Sequence, residues 1–304
     1  MNSSITRRSF LETTTTAAVA SAAALSPWLV SGADQPAGKR AIKKAIMWET
    51  VGLKGSVLEK CKAIKEAGFE GVEPSSHSNQ DEVVKALEET GLKAASVCCS
   101  THWGKPVTSP DSAVREAGVE GLKQALRDAK RYGATSVLFV PGVVNKQVSY
   151  AEAWTRSQEA IRKVVPLAEE LGVRIALENV WNNFLLSPLE AARYVDELRS
   201  SMVGWHFDCG NILNYGWPEQ WIRILGKRIA KIHIKEFSRK KADKEGRGAG
   251  FNVKLLEGDN DWPSIMKALD EIGYADWAIA EQGGAGSLEG MKDLVERMGR
   301  ILAS

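Results

Sequence analysis

Hydrophobic and polar positions along this chain follow two alternating patterns. Short apolar runs recur at 41–48 (AIKKAIMW), 70–74 (EGVEP), 92–99 (LKAASVCC), 135–142 (TSVLFVPG), 173–180 (VRIALENV), 203–210 (VGWHFDCG), 229–236 (IAKIHIKE) and 276–282 (DWAIAEQ). Between them lie longer amphipathic segments, such as SAVREAGVEGLKQALRDAKRYG and SYAEAWTRSQEAIRKVVPLAEELG, whose apolar residues recur at helical spacing. Glycine closes several of these segments, at Gly68, Gly91, Gly133, Gly172 and Gly273, as a helix C-terminus favours. Eight strand-then-helix units in a chain of this length predict an α/β fold, a single-domain (β/α)8 TIM barrel over residues 34–304. An open doubly wound sheet is the alternative. It would be favoured by a glycine-rich phosphate turn after the first run, and WETVGLKG does not have that pattern. Residues 237–261 are too long for a plain connection and are expected to form a loop over the active site.

Ahead of the first run the pattern changes. Arg7 and Arg8 precede Ser9-Phe10-Leu11, an Ala-, Thr- and Leu-rich stretch follows, and Ser31-Gly32-Ala33 ends it. That order predicts a twin-arginine export signal over residues 1–33, cleaved near Ala33, and hence an exported, periplasmic protein with no stable membrane span after processing.

Composition narrows the partners. The chain carries 44% hydrophobic and 26% charged residues and a net charge of +2, of which Arg7 and Arg8 against Glu12 supply +1. Nothing in that balance provides a basic field for nucleic acid or an anionic membrane. The four cysteines, Cys61, Cys98, Cys99 and Cys209, show no zinc-ribbon spacing and read as small core residues. A small-molecule sugar is the partner expected from the chemistry below, and self-association is left open.

Polar residues gather where the apolar runs end. In a barrel that rim carries function. Glu73 ends the second run, His102 follows the third, and Glu178, Asp208, His233 and Glu281 end the fifth to eighth. An ionised carboxylate at such a place is costly unless compensated. Three carboxylates and an imidazole converging on one point form an oxygen-rich site for one divalent metal ion: Mn2+, Mg2+, Co2+ or Zn2+. Each residue also has a plainer reading. Glu178 and Glu281 could pair with Lys235 or Arg239, Asp208 could cap the following helix, and His206 fits a hydrogen-bonded core histidine better than a ligand. His77 reads as loop. His102 is expected to contact substrate, and Glu73 either contacts substrate or forms a structural ion pair. Lys235 or Arg239 could hold a substrate oxygen, and Trp48, Trp103, Trp181 and Phe184 offer apolar faces to sugar C–H groups. A metal chelating a carbonyl oxygen and the neighbouring hydroxyl acidifies the carbon between them and stabilises an enediolate. Two glutamates on opposite sides of the sugar then serve as base and acid.

With these residues in place the chain resembles the xylose isomerase-like barrel superfamily of sugar isomerases and epimerases, over essentially all of 34–304. FDCGN (207–211), IHIKE (232–236), LLEGDNDW (255–262) and STHWGKPVTSPD are similar to motifs of its L-ribulose-5-phosphate and hexulose-6-phosphate 3-epimerases. The resemblance implies that Glu178, Asp208, His233 and Glu281 ligate the metal, that Glu178 and Glu281 double as the catalytic proton carriers, and that Arg239 contacts substrate as in ketose 3-epimerases. Trp103-Gly104 stands where the phosphate-sugar enzymes carry paired arginines, and Phe184 where ketose 3-epimerases carry a glutamate. The expected activity is metal-dependent sugar isomerisation or epimerisation, on a ketose or sugar phosphate. An exported lyase or dehydratase acting on a keto-sugar or keto-glycoside through the same metal is the alternative. A non-catalytic carbohydrate-binding barrel ranks below both. The superfamily's DNA-cleaving branch needs more histidines than the four present.

Overall fold

A computed structural model describes residues 40–304; the segment read as an export signal, 1–33, lies outside the described residues. Nine parallel strands form the sheet: β1 (Lys43–Met47), β2 (Gly71–Glu73), β3 (Lys93–Ala94), β4 (Val97–Cys98), β5 (Ser136–Phe139), β6 (Arg174–Glu178), β7 (Val203–Asp208), β8 (Ile229–Ile234) and β9 (Trp277–Ala280). Their order is β3-β2-β1-β9-β8-β7-β6-β5-β4. The strands β3 and β4 are two pieces of the single run expected at 92–99. The first pairs with β2 and the second with β5, and a bridge from Ser75 to Cys98 carries β2 across to β4. The run changes partner at Ala95-Ser96, so the ring closes and the structure is the TIM barrel that the sequence predicts.

Ten helices alternate with these strands among the described residues: α1 (Val57–Ala67), α2 (Gln80–Thr90), α3 (Ser112–Tyr132), α4 (Tyr150–Leu171), α5 (Pro188–Glu197), α6 (Cys209–Ile212), α7 (Pro218–Leu225), α8 (Arg239–Glu245), α9 (Trp262–Glu271) and α10 (Leu288–Leu302). Capping boxes start α1 (Ser56 with Glu59) and α4 (Ser149 with Glu152). Left-handed glycines end α1 to α4 at Gly68, Gly91, Gly133 and Gly172. No helix among the described residues is long and apolar enough to cross a membrane.

Strand register decides which side chains enter the barrel. Ala45 pairs with Gly71 and Ile279, His233 with Ile279 and Asp208, and His206 with Glu178 and Lys231, so these residues share one face. That face is the interior. Its apolar part is a small cluster of Ala45, Ala95 and Ile279 with Met47 and Trp277, separate from the large core between strands and helices. The rest of the interior is polar. Toward the strand N-termini Lys231, 2% exposed, donates to Asp276 at 2.8 Å and Thr135 at 2.9 Å. Above it come His206 and then His233.

Candidate metal centre

Four strands deliver the cluster. Glu178 ends β6, Asp208 ends β7, His233 lies one residue before the end of β8, and Glu281 follows β9 directly. Inward parity on adjacent strands brings their side chains to one point. From His233 Nδ1 it is 3.1 Å to Glu178 Oε1, 2.8 Å to Glu281 Oε2 and 3.8 Å to Asp208 Oδ2. Donor atoms of all four residues lie within 4.8 Å of one another.

Asp208 divides its carboxylate. Oδ1 accepts from the Asn211 backbone N–H at 2.5 Å and caps α6, while Oδ2 is buried and makes no hydrogen bond. Glu281 Oε2 is buried and unbonded as well; it sits close to Nδ1 but out of line for a hydrogen bond. Two buried, unpartnered carboxylate oxygens beside an imidazole nitrogen are an expensive arrangement on their own. A divalent cation relieves it, so the donor set fits the group that the sequence led us to expect.

The protonation pattern carries the same message. Burial raises the Glu178 carboxyl to about 7, partly offset by its hydrogen bond from His233. Burial likewise raises Asp208 against the opposing pull of Lys235. Glu281 is held well below the carboxylate range: burial works upward, but Lys235 and His233 outweigh it. For His233 burial works downward, and Glu73 with the three carboxylates raises it well above its ordinary value. The His233 ring is the group that the three carboxylates surround.

Glu73 takes a different place from the substrate contact considered for it. It is fully buried inside the barrel and accepts from His233 Nε2 at 2.9 Å. The ion-pair alternative describes it better. With Nε2 held there, Nδ1 faces the cluster, the orientation a metal-ligating histidine needs. Beneath it His206 is buried with neither nitrogen bonded, its ring 4.2 Å from that of His233 and held neutral by burial.

The remaining expected residues divide into those near the cluster and those turned away. Lys235 Nζ donates to Glu281 Oε1 at 2.8 Å and lies 3.5 Å from Asp208 Oδ2. His102, 5% exposed, takes the Val140 backbone N–H on Nδ1 at 3.3 Å, which leaves its proton on Nε2; burial lowers its pKa to about 4. Trp48 follows inward-facing Met47 and so points outward, beside an apolar cavity lined by Val57, Cys61 and Val72. Arg239 donates to the Leu213 and Gly216 carbonyls at 2.8 and 2.7 Å, so its guanidinium braces the loop after α6. Phe184 is buried against Tyr150, Trp154 and Tyr194.

Sequence reasoning missed the residues that hold the rim in shape. Asn179 Oδ1 accepts from Trp205 Nε1 and Asp208 N, and its Nδ2 donates to the Asp208 carbonyl at 2.8 Å. Asn211 donates back to the Asn179 carbonyl at 3.0 Å. A signal was present: Asn179 directly follows a strand-end glutamate, and Asn211 closes FDCGN.

The xylose isomerase-like TIM barrel family matches residues 61–301. L-ribulose-5-phosphate 3-epimerase UlaE of Escherichia coli (strain K12) is 26% identical over 231 residues, 71% of this chain and 78% of that protein. The solved D-psicose 3-epimerase in the presence of D-fructose shares the fold at TM-score 0.71 and 17% identity, over 86% of this chain and 100% of its own. The IOLI protein with a bound zinc atom shares it at TM-score 0.70 and 17% identity, over 86% and 98%.

Proposed function

The chain belongs to the xylose isomerase-like TIM barrel family, and from that premise we propose that it is a divalent-metal-dependent sugar epimerase or isomerase. The observation that carries this reading is the convergence of Glu178, Asp208 and Glu281 on His233 Nδ1, with two buried carboxylate oxygens left unbonded. The names of its relatives support the same reading: an L-ribulose-5-phosphate 3-epimerase and a D-psicose 3-epimerase.

Glu178, Asp208, His233 and Glu281 are the residues that would hold the ion. A divalent metal there supplies Lewis acidity, acidifying the C–H next to a chelated carbonyl. The protein's own groups do the rest. Glu178 and Glu281 stand on strands flanking β7 and β8, so their carboxylates reach a sugar from two sides. One takes the carbon-bound proton and the other returns it. Return to the same carbon from the opposite face gives an epimer, and return to the neighbouring carbon gives an aldose–ketose isomer. Lys235 fixes the Glu281 carboxylate, and Glu73 fixes His233.

The test reads metal and proton together. Purified protein should contain about one divalent ion per chain, and with a reactive ketose in D2O it should place deuterium on the carbon next to the carbonyl. Glu178→Gln and Glu281→Gln should each lower turnover by several orders of magnitude, with losses that do not add because both act on one enediolate. Exchange without fragment release identifies an epimerase or isomerase. Loss of water or of an aglycone would instead identify a lyase, and a protein that takes up no divalent ion would refute the reading.

A further inference from the structure

We infer that the barrel face opposite the metal centre carries a binding site for a small, multiply charged anion of the phosphate class, formed by Arg174, Arg199, Ser201 and Lys227. This site is independent of the epimerase or isomerase reading. Arg174 begins β6 and Glu178 ends it, so about 13 Å of extended chain separates this face from the metal cluster. An open cavity of about 490 Å3 lies there, between the loops that lead into β6, β7 and β8. Its charge is lopsided. Arg174, Arg199, Lys227 and Arg228 line it against one carboxylate, Asp196, in a chain whose net charge is only +2. Arg228 occupies that carboxylate, with Nε 2.8 Å from Oδ1 and Nη2 2.6 Å from Oδ2.

The other three cations are unengaged. Among the described residues the side chains of Arg174, Arg199 and Lys227, all exposed, have no hydrogen-bond or ion-pair partner, and neither has the Ser201 hydroxyl. Ser200 beside it is committed to Glu169 at 2.9 Å. Like charges gathered at one cavity repel each other, and an anion relieves the repulsion. Guanidinium and ammonium donors turned to a ligand are what phosphate recognition uses. The adjoining cavity shares Arg199 but lacks this property. There Arg162 donates to the Glu197 carbonyl at 3.2 Å and Arg193 to the Glu197 carboxylate at 2.7 Å. Helix dipoles do not account for the cluster. Every helix C-terminus on this face favours a cation, yet the entrances to β2, β3, β5 and β9 carry Glu70, Lys93, Thr135 and Asp276, one cation among four. Arg199 also holds a left-handed backbone, φ +52°, where α1 to α4 each use glycine. Glycine takes that turn without strain, so the guanidinium is kept at a cost to the backbone. The apolar lining is limited to Val195 and Val203. No aromatic ring is present to stack a nucleobase, and the cavity suits phosphoryl oxygens alone.

The experiment is calorimetry with triphosphate and with ATP at constant ionic strength. It compares the wild type with Arg174→Gln, Arg199→Gly, Asp208→Asn and a control, Lys85→Gln, which removes a well-exposed charge on α2. One triphosphate should bind per chain, and ATP should bind about as tightly. Arg174→Gln and Arg199→Gly should each weaken binding about tenfold or more, the loss expected for one charge-assisted pair. Lys85→Gln and Asp208→Asn should bind as the wild type does. Because glycine suits its backbone, Arg199→Gly should melt no lower than the wild type in chloride buffer, so its weaker binding reports the lost guanidinium. Four results would each overturn the inference: no binding, equal loss in Lys85→Gln, ATP bound far more tightly than triphosphate, or binding abolished by Asp208→Asn but kept in Arg174→Gln. The last would move the anion to the metal centre. None of the four touches the epimerase or isomerase reading, which exchange in D2O decides.

Discussion

His102 is held neutral by its surroundings, and that state has a consequence for stability. Its folded pKa is about 4, against about 6.5 for an unfolded histidine. Between those values the unfolded chain binds a proton that the native chain refuses, so stability rises with pH through this window and is lost as pH falls. The full shift corresponds to about 3 kcal/mol. Urea unfolding of the wild type and His102→Gln at a series of pH values from 7 to 4 should show a steeper loss in the wild type; equal slopes in both proteins would sink the assignment. Residue identity and parity were legible before the structure, whereas partnership was not. Glu73 and His233 are 160 positions apart, and their contact across the barrel depends on side-chain reach, which no local pattern encodes. Trp48 and Arg239 show the converse. Both occupy the rim in sequence, but a one-residue change of parity turns the first outward, and two nearby carbonyls capture the second.

Among the elements, the insertion 237–261 is more ordered than the plain loop its length predicts. It folds into α8 and a 3-10 turn at Arg247–Phe251. Glu236 anchors it. This carboxylate is fully buried and accepts from Leu256 N at 2.7 Å, Asn260 N at 3.1 Å and Trp262 Nε1 at 2.9 Å. Gln282 adds donation to the Phe251 and Val253 carbonyls. The chain also passes so close at Gly258 that a Cβ there would stand 2.6 Å from Glu236 Cγ and 2.6 Å from the Phe237 carbonyl. Gly258→Ala should therefore cost about 1–3 kcal/mol as overpacking. Glu236→Gln should do similar damage by turning an amide NH2 toward groups that donate. Limited trypsin digestion should cut faster at Lys240, Lys244 and Arg247 in both variants. Wild-type cutting rates in Glu236→Gln would show that the carboxylate is not the anchor. No periodic signal in the sequence marks Glu236 for burial, because the loop that covers it lies about twenty residues downstream.

For the whole molecule, the barrel was readable because eight apolar runs, their spacing and their terminal glycines all agree, and local agreement of that kind is what specifies a fold. The split of 92–99 into β3 and β4 was not readable, since it reflects a change of neighbour at Ala95-Ser96. The same architecture sets how the fold and the metal centre depend on each other. The apolar core lies between strands and helices, away from the rim, so the chain should fold without metal. The cost of gathering three carboxylates falls on the barrel interior, where the His233 ring and Lys235 are the groups that offset it. A ligand at one hundred times its Kd stabilises by about 2.7 kcal/mol, or roughly 5–10 °C in Tm for a domain of this size. Binding must displace the His233 proton, which its carboxylate neighbours hold tightly, and the proton that burial favours on Glu178. Metal and protons therefore compete, and the metal-dependent gain should shrink as pH falls. Melting curves with EDTA or with Mn2+, recorded from pH 8 to pH 5, should diverge most at pH 8 and approach each other at pH 5. A separation that stays constant across that range would mean that the ion binds somewhere other than His233 and Glu178.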